Sequence, residues 1–393
     1  MAKLGITLDV DELPVYIPDD DNSVLNFEEY RNRKSADPPP DTEGRLVLTV
    51  SEFLAVHVAP DYVVDGLFKR GYLYSFTAMT GAGKTAIWLL IAEIASNRRR
   101  RRKLGPHEVE HVRVVYIACE NAVDVQERLI GMEATMGFSR DDLDLLVIDK
   151  VFDLKKNLPR IRKEVEAFGG NVGLVVIDTS AAMFQGEDEN STTQMLEHAK
   201  TQRKLCELPG RPCVVALNHP TKHVPGPEFL LPRGGGAYLN EVDGNFTAWA
   251  HDGNLSTLSW AGKLRGPTFD PIEFRMKEIR TPKLVDSKGR QMPTVMAEIM
   301  TDTEVDAIQL TSKQQEDRLL TAMVGNQNGS LSDWAVERGW FQPKDKTAPY
   351  KALVQRVLTR LKNAGLVKKY GRSFSVTKPG KSAAKRADAT DTK

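Results

Sequence analysis

The sequence predicts a doubly wound α/β fold, with a mainly parallel sheet between flanking helices and a small additional domain at the C-terminus. From Leu46 onward, short runs of Val, Ile and Leu alternate with amphipathic helical segments. The runs are apolar at every position, which is typical of strands buried on both faces of a parallel sheet. After Met300 the pattern changes to helices followed by a basic hairpin, and this change predicts the second domain.

Five apolar runs predict the strands of the parallel sheet. In chain order they are YLYSFTA, VRVVYIACE, LDLLVID, VGLVVIDTS and PCVVALNH. Between Phe246 and Met300 the pattern favours hairpins instead, because Asp252-Gly253 joins NFTAWA to LSTLSW and IEFRMKEI can pair with TVMAEIM. We therefore expect antiparallel strands to extend the sheet.

Composition divides the chain into four segments. Residues 1–44 carry four basic and eleven acidic side chains without a sustained period, which predicts a mostly disordered acidic arm. Residues 45–305 are expected to form the α/β core, residues 306–380 the small domain and residues 381–393 a disordered tail. Residues 313–380 carry thirteen basic and five acidic side chains, so the two ends of the chain are oppositely charged.

Membrane and secreted disulfide-rich proteins are both disfavoured by composition. No stretch approaches the about 18 apolar residues that a membrane-spanning helix needs, so we expect no membrane insertion. Cys119, Cys206 and Cys213 lack metal-ligand spacing. An odd number of cysteines without a signal peptide predicts a reducing, cytoplasmic location.

A glycine-rich turn lies between a predicted strand and an apolar helix, in YSFTAMTGAGKTAIWLLIAEIA. The segment from Ala78 to Thr85 fits the phosphate-loop pattern G-x-x-x-x-G-K-[ST], except that alanine replaces the first glycine. Such a loop directs backbone N–H groups at phosphate oxygens, and the following helix adds its positive end. We predict ATP binding, with Lys84 at the β- and γ-phosphates and the Thr85 hydroxyl on Mg²⁺. The predicted loop residues are Thr80, Gly81, Ala82, Gly83, Lys84, Thr85 and Ala86.

Three later strands end in polar side chains, at the edge where an α/β sheet places its ligands. Asp178 ends VGLVVID and is the candidate for orienting Mg²⁺. Glu120 ends VVYIACE and can polarise the attacking water. The alternative is a purely local role as a neighbour of the N-cap of the helix predicted to follow it. His219 follows CVVALN and is the candidate sensor of the γ-phosphate, or else caps a loop.

These motifs, together with PDYVVDGLFKRG and RGGGAYLNEVDG, resemble the RecA-like ATPase core of RepA-type hexameric replicative helicases and their phage relatives. The resemblance covers about Leu46 to Met300 and depends on the order and spacing of five motifs. It implies ATP hydrolysis with Glu120 as catalytic base, Asp178 as the motif aspartate and His219 as the histidine after the third strand. Gly234-Gly235-Gly236 departs from the serines common in the family, so the role of that segment stays open.

The resemblance also implies an oligomeric ring, expected to be a hexamer, in which a basic residue of a neighbouring subunit completes each ATP site. Lys263 and Arg265 in GKLRG are the candidates for this catalytic role, the alternative being a solvated surface turn. The segment after His219 would form a loop in a central channel that holds single-stranded DNA. Its basic candidates are Lys222, His223 and Arg233, and its candidate stacking faces are Phe229 and Tyr238.

The C-terminal segment resembles a winged helix. Helices are predicted near Lys313–Val324, Ser332–Arg338 and Pro349–Ala364, and a hairpin is predicted to turn at residues 370–372. Winged helices bind duplex DNA or dock proteins, and both readings stay open. The candidates for DNA contact are Lys351, Arg356, Arg360, Lys368, Lys369 and Arg372. The run from Arg98 to Lys103 is either a solvated loop or a further phosphate-binding patch.

The sequence therefore predicts an ATP-hydrolysing DNA motor, in the first place a ring-forming replicative helicase of phage or plasmid type. Two alternatives remain open. One is a recombination or repair ATPase that loads on DNA without unwinding it, and the other is a DNA-binding regulator switched by nucleotide. A small-molecule kinase is disfavoured, because it has no use for a basic C-terminal module.

Overall fold

The computed structural model describes residues 47–55, 61–99, 103–221, 224–342, 344–371 and 373–391. The chain divides into two compact units, residues 1–59 and residues 60–393. In the first unit the structure describes one short helix, α1 (Val50–Ala55). The predicted acidic arm, residues 1–44, lies outside the described residues.

The second unit is built on a nine-stranded sheet with the order β13-β12-β11-β10-β3-β9-β8-β6-β7. Its strands are β3 (Leu73–Ala78), β6 (Arg113–Ala118), β7 (Leu145–Ile148), β8 (Val172–Asp178), β9 (Cys213–Asn218), β10 (Gly244–His251), β11 (Leu255–Leu264), β12 (Ile272–Val285) and β13 (Gln291–Ile299). Two short ribbons accompany it, one of β1 (Tyr62–Val64) with β2 (Phe68–Lys69) and one of β4 (Lys103–Leu104) with β5 (His107–Glu108).

The strand directions confirm the predicted mainly parallel sheet. The neighbouring strands β10, β3, β9, β8, β6 and β7 run parallel to one another. Phe76 of β3, for example, lies opposite Leu217 of β9 and Phe246 of β10. Beyond β10, β11 to β13 are antiparallel to one another and extend the sheet, as the hairpin signals indicate. The strands of the parallel part therefore all end at the same edge of the sheet.

Helices cover both faces of the parallel part. They are α2 (Lys84–Ser96), α3 (Ala122–Met136), α4 (Leu154–Ala167), α5 (Thr192–Arg203) and α6 (Gly235–Glu241). Val176 of β8 packs in the same cluster as Trp88 of α2, whereas its neighbour Val175 packs with Met195 of α5 on the other face. This alternation explains why the strand is apolar at every position, because each face of the sheet is buried under helices.

The C-terminal part contains the predicted helices and hairpin. Its elements are α7 (Asp302–Gly325), α8 (Leu331–Glu337), β14 (Phe341–Gln342), β15 (Asp345–Pro349), α9 (Lys351–Asn363), β16 (Val367–Tyr370), β17 (Ser373–Val376) and α10 (Lys378–Asp391). They share one core, which includes Leu320, Trp334, Leu358 and Val367. Arg372, at the predicted turn of the hairpin, lies outside the described residues.

Two predicted boundaries in this part fall inside helices of the structure. The boundary between residues 305 and 306 falls inside α7, which starts at Asp302 because Thr301 and Glu304 form a capping box. Residues 381–391 of the predicted disordered tail continue α10 instead. They are ordered because Ala384 is buried in the core of the module, where it packs with residues of the other helices. Within the described ranges, none of the helices is long and apolar enough to span a bilayer.

Candidate active site

The candidate catalytic residues meet at the carboxyl edge of the parallel strands. β3 leads into the glycine-rich loop, β6 ends two residues before Glu120, β8 ends at Asp178 and β9 ends one residue before His219. A cleft of about 530 Å³ at this edge is lined by Thr80, Gly81, Gly83, Lys84, Thr85, Ala86, Glu120, Asp178 and His219, among others. Ala82, also predicted in the loop, is buried and does not line the cleft.

The glycine-rich loop has the backbone geometry that its sequence requires. Gly81 and Gly83 both have φ of 84°, a left-handed backbone conformation that residues other than glycine rarely adopt. Ala78, at the position where the pattern has its first glycine, is a buried strand residue and needs no such freedom. Among the described residues, no side chain caps the amino end of α2 at Gly83. The uncapped N–H groups of this helix end therefore fit a phosphate group.

Lys84 lies at the base of the cleft and is buried. Its ammonium group donates to the carbonyl oxygen of Ala78 at 3.0 Å, and its Nζ lies 3.5 Å from His219 Nδ1. Burial lowers the pKa of Lys84, while the charges of Glu120 and Asp178 act in the opposite direction. The lysine thus sits between the loop and the two carboxylates, where the phosphates of a nucleotide bound to the loop would lie.

Asp178 is buried at the end of β8 and is held by two hydroxyl groups. Tyr116 Oη donates to Asp178 Oδ2 at 2.7 Å, and the Thr85 hydroxyl forms a second hydrogen bond to the carboxylate. Burial raises the pKa of Asp178, and both hydrogen bonds lower it. Burial also raises the pKa of Tyr116, so its phenol stays protonated as the donor.

The pairing of Thr85 with Asp178 fits a magnesium ion that is also bound by nucleotide phosphates. The described residues contain no cluster of three His, Cys, Asp or Glu side chains that would hold a metal without nucleotide. Mg²⁺ prefers a site with few protein ligands, completed by phosphate oxygens and water. When bound, the ion neutralises charge that develops on the phosphates.

Glu120 is exposed, lines the cleft and lies next to the N-cap residue of α3. The cap of α3 is supplied by Asn121, whose side chain accepts a hydrogen bond from Asp124 N at 3.1 Å. The backbone of Glu120 is fixed beside β8, because its N–H donates to Asp178 O at 3.0 Å. Glu120 thus directly precedes the N-cap of α3, as the local explanation expects, and it also lines the same cleft as Lys84.

His219 is partly buried beside the lysine of the loop. Burial lowers the pKa of His219, and the positive charge of Lys84 lowers it further. Its backbone carbonyl accepts a hydrogen bond from Arg233 N at 3.0 Å, so the end of the following loop returns to this histidine. The Arg233 guanidinium pairs with Glu189 at 2.8 Å.

The structure describes the remaining channel-loop candidates only in part. Lys222 and His223 lie outside the described residues. Phe229 is half exposed. The prediction of a stacking face at Tyr238 is wrong, because α6 carries this side chain into the core, where its hydroxyl donates to Gln202 Oε1 at 2.5 Å.

Lys263 and Arg265 lie far from the cleft of their own chain. β11 is antiparallel to β10, and Leu264 near its end pairs with Gly244 at the start of β10. The two cations therefore lie at the amino edge of the parallel strands, about 20 Å along β3 from the loop. Arg265 pairs with the buried carboxylate of Asp243 at 3.0 Å, and Lys263 Nζ donates to Asn240 O at 2.5 Å.

Sequence reasoning missed the far wall of the cleft. Arg128 of α3 pairs with Asp124 at 2.7 Å and donates to the backbone oxygen of Val295 at 2.8 Å, and all three line the cleft with Met276 and Glu278. An i,i+4 pair after Glu120 is visible in the sequence, but its orientation depends on β12 and β13 packing beside α3. Tyr116 was also missed, since a tyrosine inside an apolar strand carries no local signal.

Most of the basic candidates that the structure describes outside the cleft have partners within the chain. Arg98 pairs with Asp144, and Arg99 pairs with Asp142 at 2.8 Å. These pairs favour a solvated loop over a phosphate-binding patch at the start of the arginine run. Residues 100–102 of that run lie outside the described residues. In the C-terminal module Arg360 pairs with Glu316 at 3.0 Å. The other partnered cations of the module are Arg356, which lies over the Tyr350 ring, and Lys369, which lies over the Phe374 ring, whereas Lys351 and Lys368 are exposed.

Comparison with known families agrees with the geometry of the cleft. Residues 39–224 match the family model described as an AAA domain. This match supports the assignment of the segment as a P-loop ATPase domain. It includes the glycine-rich loop and the three strand-end residues, and it is consistent with the use of ATP and Mg²⁺. No curated protein shows significant similarity to the chain.

Proposed function

We propose that this ATPase is a DNA motor that acts as a ring-forming replicative helicase. One observation carries the proposal: the candidate catalytic residues share one cleft, whereas Lys263 and Arg265 lie at the opposite edge of the same sheet. Cations so placed cannot serve their own cleft. In a ring, expected to be a hexamer, they serve the cleft of a neighbouring subunit, where an arginine stabilises the charge of the transferring phosphoryl group.

Within one cleft, the proposed roles follow from the position of each side chain. The loop N–H groups and the Lys84 ammonium bind the phosphates, and Thr85 with Asp178 holds Mg²⁺. The Glu120 carboxylate accepts the proton of the attacking water. His219 presents a neutral imidazole to the γ-phosphate, because its pKa is lowered. Its link to Arg233 then transmits the state of the nucleotide to the loop after β9.

Two surfaces of the chain are proposed to contact DNA. Single-stranded DNA is held by the loop between Asn218 and Gly234, where Phe229 offers an exposed ring and Arg233 exchanges Glu189 for a backbone phosphate. The C-terminal module, as a winged helix, contacts duplex phosphates through exposed lysines such as Lys351 and Lys368. A phosphate contact of this kind positions the protein without reading sequence.

The decisive experiment is strand displacement on a forked duplex with ATP, beside ATP hydrolysis with and without single-stranded DNA. The proposal expects DNA to stimulate hydrolysis and strands to separate, and Lys84→Ala to abolish both. Stimulated hydrolysis without strand separation would favour a recombination or repair ATPase. Nucleotide-dependent duplex binding without stimulated hydrolysis would favour a regulator.

A further inference from the structure

Tyr116 reaches the magnesium-binding edge from inside the sheet. It lies on β6 opposite Val176 of β8, and Ala118 of the same strand lies opposite Asp178. Side chains two residues apart on a strand share one face, so Tyr116 is the diagonal neighbour of Asp178. Its side chain is fully buried, and its hydroxyl donates to Asp178 Oδ2 at 2.7 Å.

The Asp178 carboxylate is thereby held from two sides. The Thr85 hydroxyl approaches it from the amino end of α2, and the Tyr116 phenol approaches it from β6. A carboxylate with two fixed donors has a fixed orientation, and loss of such a partner typically lowers metal affinity by about 10- to 100-fold.

We propose that Tyr116 is a positioning residue that orients Asp178 for Mg²⁺ binding with the nucleotide. This role rests on the ATPase assignment and on the placement of Mg²⁺ between Thr85 and Asp178, and it is independent of any contact with DNA. The tyrosine touches neither nucleotide nor metal and acts through the aspartate.

A simpler explanation is that a buried phenol takes the nearest acceptor to satisfy its hydroxyl. Tyr74 provides the comparison within the same sheet. It is as buried as Tyr116, but its hydroxyl accepts a hydrogen bond from Lys69 N at 3.2 Å and contacts no cleft residue in the described structure. Tyr74→Phe therefore removes the hydroxyl of another buried tyrosine of the sheet without changing Asp178.

The test is a Mg²⁺ titration of the affinity of the full chain for a fluorescent ADP analogue, without DNA. Tyr116→Phe is expected to raise the Mg²⁺ concentration at half-effect by about tenfold, since partners of metal-binding groups typically contribute that much. Its affinity for the analogue in EDTA should equal that of wild type, and Tyr74→Phe should match wild type in both conditions. An unchanged Mg²⁺ midpoint in Tyr116→Phe overturns the proposal, as does an equal loss of affinity in EDTA.

A double-mutant cycle separates positioning from general packing. Asp178→Asn removes the carboxylate that Tyr116 orients, so Tyr116→Phe should add nothing to the Mg²⁺ requirement in that background. Additive effects of the two substitutions overturn the proposal. If the affinity of the wild type for the ADP analogue does not depend on Mg²⁺, the magnesium placement and this inference both fail. Strand displacement then still tests the proposed motor function separately.

Discussion

Lys84 Nζ lies 3.5 Å from His219 Nδ1, which links the glycine-rich loop after β3 to the end of the adjacent strand β9. The contact places the proposed phosphate-binding cation beside the candidate sensor of the same phosphate. It also lowers the pKa of the histidine in addition to burial. Binding and sensing are thus expected to occur in one cleft, and the substitutions below separate them from the chemical step.

Lys84→Ala and Glu120→Gln are expected to fail at different steps. The lysine is proposed to contact the phosphates, so its loss should weaken nucleotide binding by about tenfold or more. This is the expected effect of losing a hydrogen bond to a charged group. The glutamine keeps the shape of Glu120 but accepts no proton, so binding should persist while turnover falls by about 10²-fold or more. Equilibrium binding and steady-state hydrolysis measured on both variants test this. Hydrolysis near the wild-type rate in Glu120→Gln would reject the base assignment.

Gly83→Ala is expected to weaken nucleotide binding more than Gly81→Ala, by a modest margin because the flexible end of Met276 can shift. Both glycines have φ of 84°, so alanine at either position adds a similar backbone strain of about 1–2 kcal/mol. At Gly83 the new methyl group would also lie 2.6 Å from Met276 Sδ, whereas at Gly81 nothing lies within 4 Å. Titration with a fluorescent nucleotide measures the difference.

Removal of the clash provides the control for the glycine comparison. In a Gly83→Ala background, Met276→Ala should restore part of the lost affinity, because it removes the atoms that the methyl group meets. Equal losses at the two glycines, or no recovery in the double variant, would show that backbone strain alone accounts for the effect.

Arg265→Ala and Glu120→Gln should complement each other when subunits are mixed. Arg265 lies at the sheet edge opposite its own cleft, so a mixed ring contains some interfaces with an intact cleft and an intact arginine. Hydrolysis should rise above that of either variant alone. If mixed oligomers form, as native mass spectrometry can establish, and every mixture stays inactive, Arg265 does not act in trans.

His198 is expected to make the fold sensitive to acid. Burial lowers its pKa to about 4 from the ordinary value of 6.5, and its Nε2 lies 3.1 Å from Ser180 Oγ. Between these two values the unfolded chain binds more protons than the native state, so stability falls as the pH is lowered from about 6.5 to about 4. The loss amounts to about 3 kcal/mol by pH 4.

Chemical denaturation between pH 7 and pH 4 measures this loss. His198→Gln removes the titrating group, and its amide can still bond to Ser180 and Gln202, so its stability should decline less steeply over the same range. Parallel pH profiles for the variant and the wild type would contradict the assignment.

Exchange of the exposed lysines Lys351 and Lys368 for glutamine should reduce duplex binding in a salt-dependent way. Each phosphate contact that is lost lowers the slope of log affinity against log salt by about 0.9, so the double variant should lose nearly two units. Arg360→Gln is the matched control, because its guanidinium already pairs with Glu316. An unchanged slope in the double variant would indicate a protein-docking module instead.

Local patterns in the sequence were sufficient to predict much of the candidate active site. The glycine spacing predicts a loop with left-handed backbone, and strands that are apolar throughout predict a parallel sheet whose ends collect Glu120, Asp178 and His219. These inferences hold because strand direction brings the ends of parallel strands to one edge, whatever the other contacts. The start of α7 was also readable, since Thr301 and Glu304 form a capping box, although the predicted boundary overlooked it.

Other features were decided by tertiary structure alone. Tyr116 and Asp178 are 62 residues apart, and their hydrogen bond exists only because β6 and β8 pair in one particular register. Arg265 lies away from its own cleft because β11 runs antiparallel to β10. The charge of Arg360 is paired with Glu316 of α7, which lies far earlier in the chain. Periodicity specifies which face of an element is buried, but the partner of a polar side chain depends on strand register and helix packing, which no local pattern contains.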